Sequence, residues 1–201
     1  MNKFVVGLGG EHTVSLGLLL AVREFFGKIS VVVEDAHGDL RWDTSDYDPK
    51  PKEIAHSTVM WHIHNSGVDV FQHGIRSMSA KELVYAARSG LWKNISFAHS
   101  LAGCALINAI KTEKVFLSID VDGFDPSIMP ATGTPEPGGV LWGPFMFFAR
   151  DLIQSKEVVV FDLVEVSQGD DFSVADRTRT AYNAALLIHQ LLCYKFRKLC
   201  K

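Results

Sequence analysis

Val115-Phe116-Leu117-Ser118-Ile119-Asp120 is a nearly continuous apolar run that ends in an acid. Its length suits a β-strand, and its lack of polar alternation suits a strand covered on both faces. Residues 29–35 and 157–163 read the same way, and residues 3–8, 68–75 and 95–98 are further strand candidates. Segments of helical period lie between them, over residues 14–26, 53–64, 80–89, 101–112, 143–155 and 174–198. Alternating strands and helices predict an α/β fold, a mainly parallel sheet with helices on both faces. No repeat, low-complexity tract or linker interrupts the pattern, so residues 1–201 are expected to form a single domain.

Composition narrows the function. The chain has 201 residues, 47% hydrophobic and 21% charged, which excludes a disordered chain. Twenty Lys plus Arg against 23 Asp plus Glu give a net charge of -3, with no basic excess to hold nucleic acid or an anionic membrane. No apolar stretch approaches the ~20 residues of a membrane span. The N-terminus runs into Gly7 and Gly9-Gly10 rather than a signal-peptide core. Cys104, Cys193 and Cys200 are odd in number and lack CxxC spacing, which suits a reducing cytoplasm.

Two long loops follow strands, over residues 38–52 and 121–140. In parallel sheets ligands bind outside the carboxyl ends of the strands, and long loops there are usually functional. Glu34-Asp35-Ala36-His37-Gly38-Asp39 leaves the strand at residues 29–35. In an extended segment alternate side chains share a face, which sends Asp35, His37 and Asp39 toward one point. The alternative is a surface loop in which each is solvated separately. Asp120 and Asp122 repeat the arrangement after a second strand, where an acid is costly to bury unless paired or metal-bound. Gly9-Gly10-Glu11-His12 follows the first strand and places His12 at the same edge. Four carboxylates (Asp35, Asp39, Asp120, Asp122) and two imidazoles (His12, His37) exceed the needs of one tetrahedral zinc. Four negative charges match two divalent cations, and oxygen-rich ligation with some imidazole suits Mn²⁺. Two such ions would acidify a shared water.

GGEH, DAHGD, SIDVDGFDPSIMPATGTPEPGG and FDLVEV, in this order, resemble the ureohydrolase superfamily, the arginases and agmatinases, over most of the chain. TPEPGG leans toward agmatinase-like members. The resemblance implies a three-layer α/β/α fold and two Mn²⁺ per chain. By match, His12, Asp35, Asp39 and Asp120 would bind one ion and His37, Asp35, Asp120 and Asp122 the other, with Asp35 and Asp120 bridging. It further implies that His56 is a proton shuttle and that Glu165 pairs with the substrate guanidinium, the natural partner of a carboxylate. His62, His64, His73, His99 and His189 read as structural or surface, with His99 the one candidate for the site's mouth.

The expected reaction is urea release from a small guanidino compound. Hydroxide would attack the guanidinium carbon, Asp39 and the cluster would stabilise the tetrahedral intermediate, and His56 would protonate the departing amine. Hydrolysis of a formimino compound (as by a formiminoglutamase) or of another guanidino acid is the alternative within the class. A catalytically weak metal-binding paralogue with a regulatory role is the alternative outside it. A zinc deacylase on a related fold would not explain Asp120 with Asp122. Asp43, Asp46 and Asp48 lean mildly toward a cationic substrate tail, with a solvated acidic loop the favoured reading. Three departures from the family pattern stand out. GGEH replaces the usual GGDH, which bears on how His12 is held. The loop over residues 40–55 is proline-bearing and charged. Met1 stands almost at the first strand, where members carry a further N-terminal segment, so that strand is expected near a sheet edge and covered in a homo-oligomer, a trimer or hexamer by resemblance. The apolar helix over residues 174–198 would either serve that association or fold over its own sheet.

Overall fold

The computed structural model describes residues 3–100 and 103–197. In chain order the strands are β1 (Val5–Leu8), β2 (Ser30–Glu34), β3 (Val70–Ile75), β4 (Ile95–Phe97), β5 (Lys114–Asp120) and β6 (Glu157–Val164). The α-helices are α1 (Val14–Phe26), α2 (Val59–Asn65), α3 (Ala80–Ser89), α4 (Gly103–Ala109), α5 (Trp142–Ser155) and α6 (Val174–Arg197). Among the described residues the strands form one sheet in the order β1-β6-β5-β2-β3-β4, every neighbouring pair parallel.

The apolar strands behave as a doubly covered sheet requires. Val31 and Val33 of β2 and Phe116 of β5 face a core with Leu19 of α1, Met60 and Ile63 of α2 and Ala86 of α3. Their neighbours Val32 and Leu117 face the opposite core, with Leu106 of α4, Phe145 and Leu152 of α5 and Leu187 of α6. The fold is therefore a three-layer α/β/α sandwich. Because all strands are parallel, the ends of β1, β2, β5 and β6 open onto one edge.

The structure corrects several boundaries. The helix expected over residues 53–64 begins later, with a 3₁₀ turn at His56–Thr58 leading into α2. Ala55 is extended, at φ -155° and ψ 168°, and the Thr58 hydroxyl binds the Glu53 and Ala55 carbonyls in place of a first helical turn. Of the helix expected over residues 101–112 the described part is α4, and Leu101 and Ala102 lie outside the described residues. Lys198 and Cys200 lie outside them too. The expected edge strand is β1, hydrogen-bonded to β6, with Val5 52% and Leu8 72% exposed. α6 lays Ala184, Leu187 and Leu191 onto the core beside α5, so its apolar face covers its own sheet.

Candidate metal and substrate site

Local backbone geometry builds the site. Asp39 (φ 51°) and Glu165 (φ 65°) are, among the described residues, the two non-glycine residues at positive φ. Such strained conformations concentrate at functional sites. The extended run foreseen for residues 35–39 therefore holds only in part: Asp39 reaches the centre through a left-handed turn, not by simple alternation. Its carbonyl accepts the N–H groups of Met60 and Trp61 at the start of α2, and the residue is buried at 5% exposure. Gly123 lets the β5 loop lie against β2, since a Cβ there would stand 2.8 Å from the Asp35 nitrogen. Gly9 is equally confined, between Val14 and Val164.

All six expected ligands meet at this edge. His12 Nδ1 lies 3.3 Å from Asp35 Oδ2, 3.2 Å from Asp39 Oδ2 and 3.2 Å from Asp120 Oδ2. His37 Nδ1 lies 3.0 Å from Asp122 Oδ2 and 3.7 Å from Asp35 Oδ1. Ligand atoms of His12, Asp35 and Asp39 lie within 4.8 Å of one another, as do those of Asp35, His37 and Asp122, and Asp35 belongs to both groups.

Hydrogen bonding fixes how His12 faces this cluster. Ser118 gives its hydroxyl proton to Asp162 Oδ1 at 2.8 Å, so its oxygen accepts from His12 Nε2 at 3.1 Å. That arrangement leaves Nδ1 to face the three carboxylates, and neither it nor Asp35 Oδ2 is satisfied by a hydrogen bond. Two buried, unsatisfied atoms pointing at each other across an oxygen-rich pocket fit a cation between them.

Electrostatics agree. Burial, followed by the neighbouring charges of Asp122 and Asp35, pushes Asp120 well above the usual carboxylate range. Burial and the charge of Asp35 raise Asp39 to about 8. Burial would lower both histidines, but the carboxylates around them prevail: His37 is raised to about 11, by Asp122 and Asp35, and His12 well above its ordinary value.

A cleft of about 430 Å³ opens over Asp39, Asp120 and Asp122, and His56 and Glu165 line it. Glu165 directly follows β6, at the edge expected for it, and burial raises its carboxyl. Its Oε1 accepts the His12 backbone N–H at 2.7 Å. His99 instead stacks on Phe97 and is not among the cleft's lining residues. Asp43, Asp46 and Asp48 are not among the cleft's lining residues. Asp46 pairs with Arg41 at 2.9 Å and with Lys81, while Asp43 and Asp48 accept the backbone N–H groups of Ser45 and Lys50.

The model of the arginase family matches residues 1–193. The chain belongs to the arginase family. Among arginase-family proteins, it is 33% identical over 201 residues to an N(1)-aminopropylagmatine ureohydrolase of Synechocystis sp., covering 96% of this chain and 61% of that relative. It is 36% identical to an agmatinase of Pyrococcus horikoshii, over 80% of this chain and 53% of that protein. The chain thus spans between half and two thirds of these relatives. The solved structure of the agmatine ureohydrolase of Thermoplasma volcanium superposes with a TM-score of 0.77 at 27% identity, covering 98% of this chain and 64% of the other.

Sequence reasoning missed the support beneath this arginase-family site. Ser15 donates to Asp162 Oδ2 at 2.6 Å, completing the Asp162–Ser118–His12 chain. The available signal was an acid inside the apolar strand Val160-Phe161-Asp162-Leu163. Arg76 was missed too: its guanidinium binds the carbonyls of Asp122, Gly123 and Glu136 at 2.7–3.1 Å, fixing the loop that carries Asp122. His73 was expected to be structural or surface; it is buried, stacked on Phe148, with Nδ1 2.5 Å from Glu34 Oε2.

Proposed function

We propose that this chain carries the catalytic site of a metal-dependent hydrolase that cleaves a guanidino C–N bond and releases urea, as its agmatinase-like relatives' names suggest. The carrying observation is the bare Nδ1 of His12 facing Asp35, Asp39 and Asp120, with Asp35 shared by the second cluster of His37 and Asp122. His12, Asp35, Asp39 and Asp120 would hold one ion, and His37, Asp35, Asp120 and Asp122 the other. Mn²⁺ suits these hard oxygen and imidazole donors. Two such ions, when bound, supply an acidified water at neutral pH.

The protein's own groups do the rest. Glu165 accepts the substrate guanidinium from the cleft wall, one oxygen being fixed on His12 N–H. Asp39, opposite His12, stabilises the tetrahedral carbon formed on attack. His56 delivers a proton to the departing amine. The preferred substrate is a small guanidino compound of the agmatine or aminopropylagmatine type. The exposed β1 edge supports association of copies of the chain into a homo-oligomer, which light scattering tests. The cytoplasm remains the expected location, consistent with free, exposed Cys104 and Cys193; no described helix is long and apolar enough to cross a membrane.

The deciding experiment, with Mn²⁺ added, measures urea release from agmatine, aminopropylagmatine, arginine and guanidinobutyrate, and formamide release from formiminoglutamate, whose formimino carbon cannot yield urea. Urea from a guanidino amine supports the reading. Turnover of formiminoglutamate alone points to the formimino alternative, and no turnover of any compound by the metal-loaded protein points to the non-catalytic paralogue.

A further inference from the structure

Glu11, the residue that makes GGEH depart from the usual pattern, does not touch the His12 ring. Its carboxylate reaches from the loop after β1 to the 3₁₀ turn before α2. Oε1 accepts the His56 backbone N–H at 2.5 Å and lies 3.4 Å from the imidazole Nδ1. Oε2 accepts the Thr13 N–H at 3.2 Å and the Thr13 hydroxyl. On the other side the ring of Tyr47, from the loop over residues 40–55, lies 6.5 Å from the imidazole and nearly parallel to it, at 18°. The Tyr47 hydroxyl is 2.7 Å from the hydroxyl of Ser57, the next residue in the chain. The His56 side chain is 50% exposed, so without these contacts little would restrict its orientation.

We propose that Glu11 is a positioning residue for His56, holding the imidazole over the cleft between its carboxylate and the Tyr47 ring. The proposal rests on the reading of His56 as the proton donor. Donors converge on both oxygens of Glu11, and only an ionised carboxylate accepts at both. Length matters as well. Asp at this position would still cap Thr13, two residues away, but its oxygens would withdraw by about 1.5 Å from His56, beyond hydrogen-bond reach.

The test compares Glu11→Gln and Glu11→Asp in the full chain, with His56 intact and in a His56→Asn background. Misplacing a general acid costs turnover more than binding. Both variants are therefore expected to lower kcat by about 5- to 50-fold, with KM, bound metal and Tm nearly unchanged. In the His56→Asn background neither is expected to lower kcat further. Faster amide hydrogen exchange at His56 in Glu11→Asp reads the lost contact without any activity assay. Should Glu11→Gln fold poorly, Glu11→Asp, which keeps the Thr13 cap, carries the test alone. Unchanged kcat in Glu11→Asp, equal losses in both backgrounds, or unchanged exchange at His56 would overturn the proposal. If His56→Asn itself keeps full turnover, the proton-donor reading fails instead.

Discussion

The backbone N–H of His12 donates to Oε1 of Glu165 at 2.7 Å. β1 and β6 are neighbours in the sheet, and this bond extends their pairing beyond the strands, from the proposed metal cluster to the proposed guanidinium partner. A second bond, from Glu165 N–H to the Gly10 carbonyl at 2.8 Å, fixes the left-handed turn that carries the carboxylate. The proposed metal ligand and the proposed substrate partner are thereby mechanically joined.

Glu165→Gln separates the two. The amide oxygen keeps an acceptor for His12 N–H, while the charge facing the guanidinium disappears. Bound metal should be unchanged. A charge-assisted pair contributes roughly 1.5–3 kcal/mol, so kcat/KM should fall about 10- to 100-fold. Steady-state kinetics with metal analysis of the same sample checks this. Equal kcat/KM in variant and parent would remove Glu165 from substrate binding.

Asp162→Asn should destabilise the fold by about 1–3 kcal/mol, because one amide face must meet a buried serine hydroxyl as donor against donor. It should also weaken metal affinity about 10- to 100-fold, since Ser118 would no longer be held as the acceptor for His12 Nε2. Denaturant unfolding and metal titration measure the two effects. A variant as stable as the parent would mean that Ser15 and Ser118 find other partners.

Proton linkage gives a third expectation. His37 is raised from 6.5 to about 11 and Asp39 from 3.8 to about 8 in the metal-free protein. A group whose folded value is raised adds stability in full below its ordinary value and loses it as the pH climbs through the raised one. Asp35, which is lowered, acts oppositely, but only at acid pH below its ordinary 3.8. The Tm in EDTA should therefore fall from about pH 4 to about pH 11, most steeply between about 6.5 and 8 where both groups contribute, and Mn²⁺ should flatten the profile while releasing more than one proton per chain at pH 7. Calorimetry in buffers of different ionisation enthalpy counts those protons. Binding without proton release would contradict the charge state described for the site.

The parts of this site that sequence made legible are those written as local pattern. Apolar runs ending in Asp120 or in Glu34-Asp35 identified doubly covered parallel strands, and parallel strands bring their carboxyl ends to one edge. What stayed hidden depends on tertiary contact. The positive φ of Asp39 and Glu165 is imposed by neighbours such as Met60 and Gly10, and no residue type at those positions announces it. The role of Glu11 requires knowing that a loop 45 residues further along the chain passes within reach of its carboxylate. The start of α2 was misplaced because Thr58 turned its hydroxyl back onto the chain, a choice that propensity alone does not decide.

The central claim is a site for two cations shared through Asp35, and counting bound metal tests it most directly. Metal-free protein is titrated with Mn²⁺ in parallel with Asp122→Ala, and bound ions per chain are measured alongside urea release. The parent should bind two Mn²⁺. Asp122→Ala should bind one and lose nearly all urea release, because His37 Nδ1 loses its 3.0 Å carboxylate partner. A parent chain that saturates with a single ion, or an Asp122→Ala variant that keeps both ions and full turnover, would contradict the account.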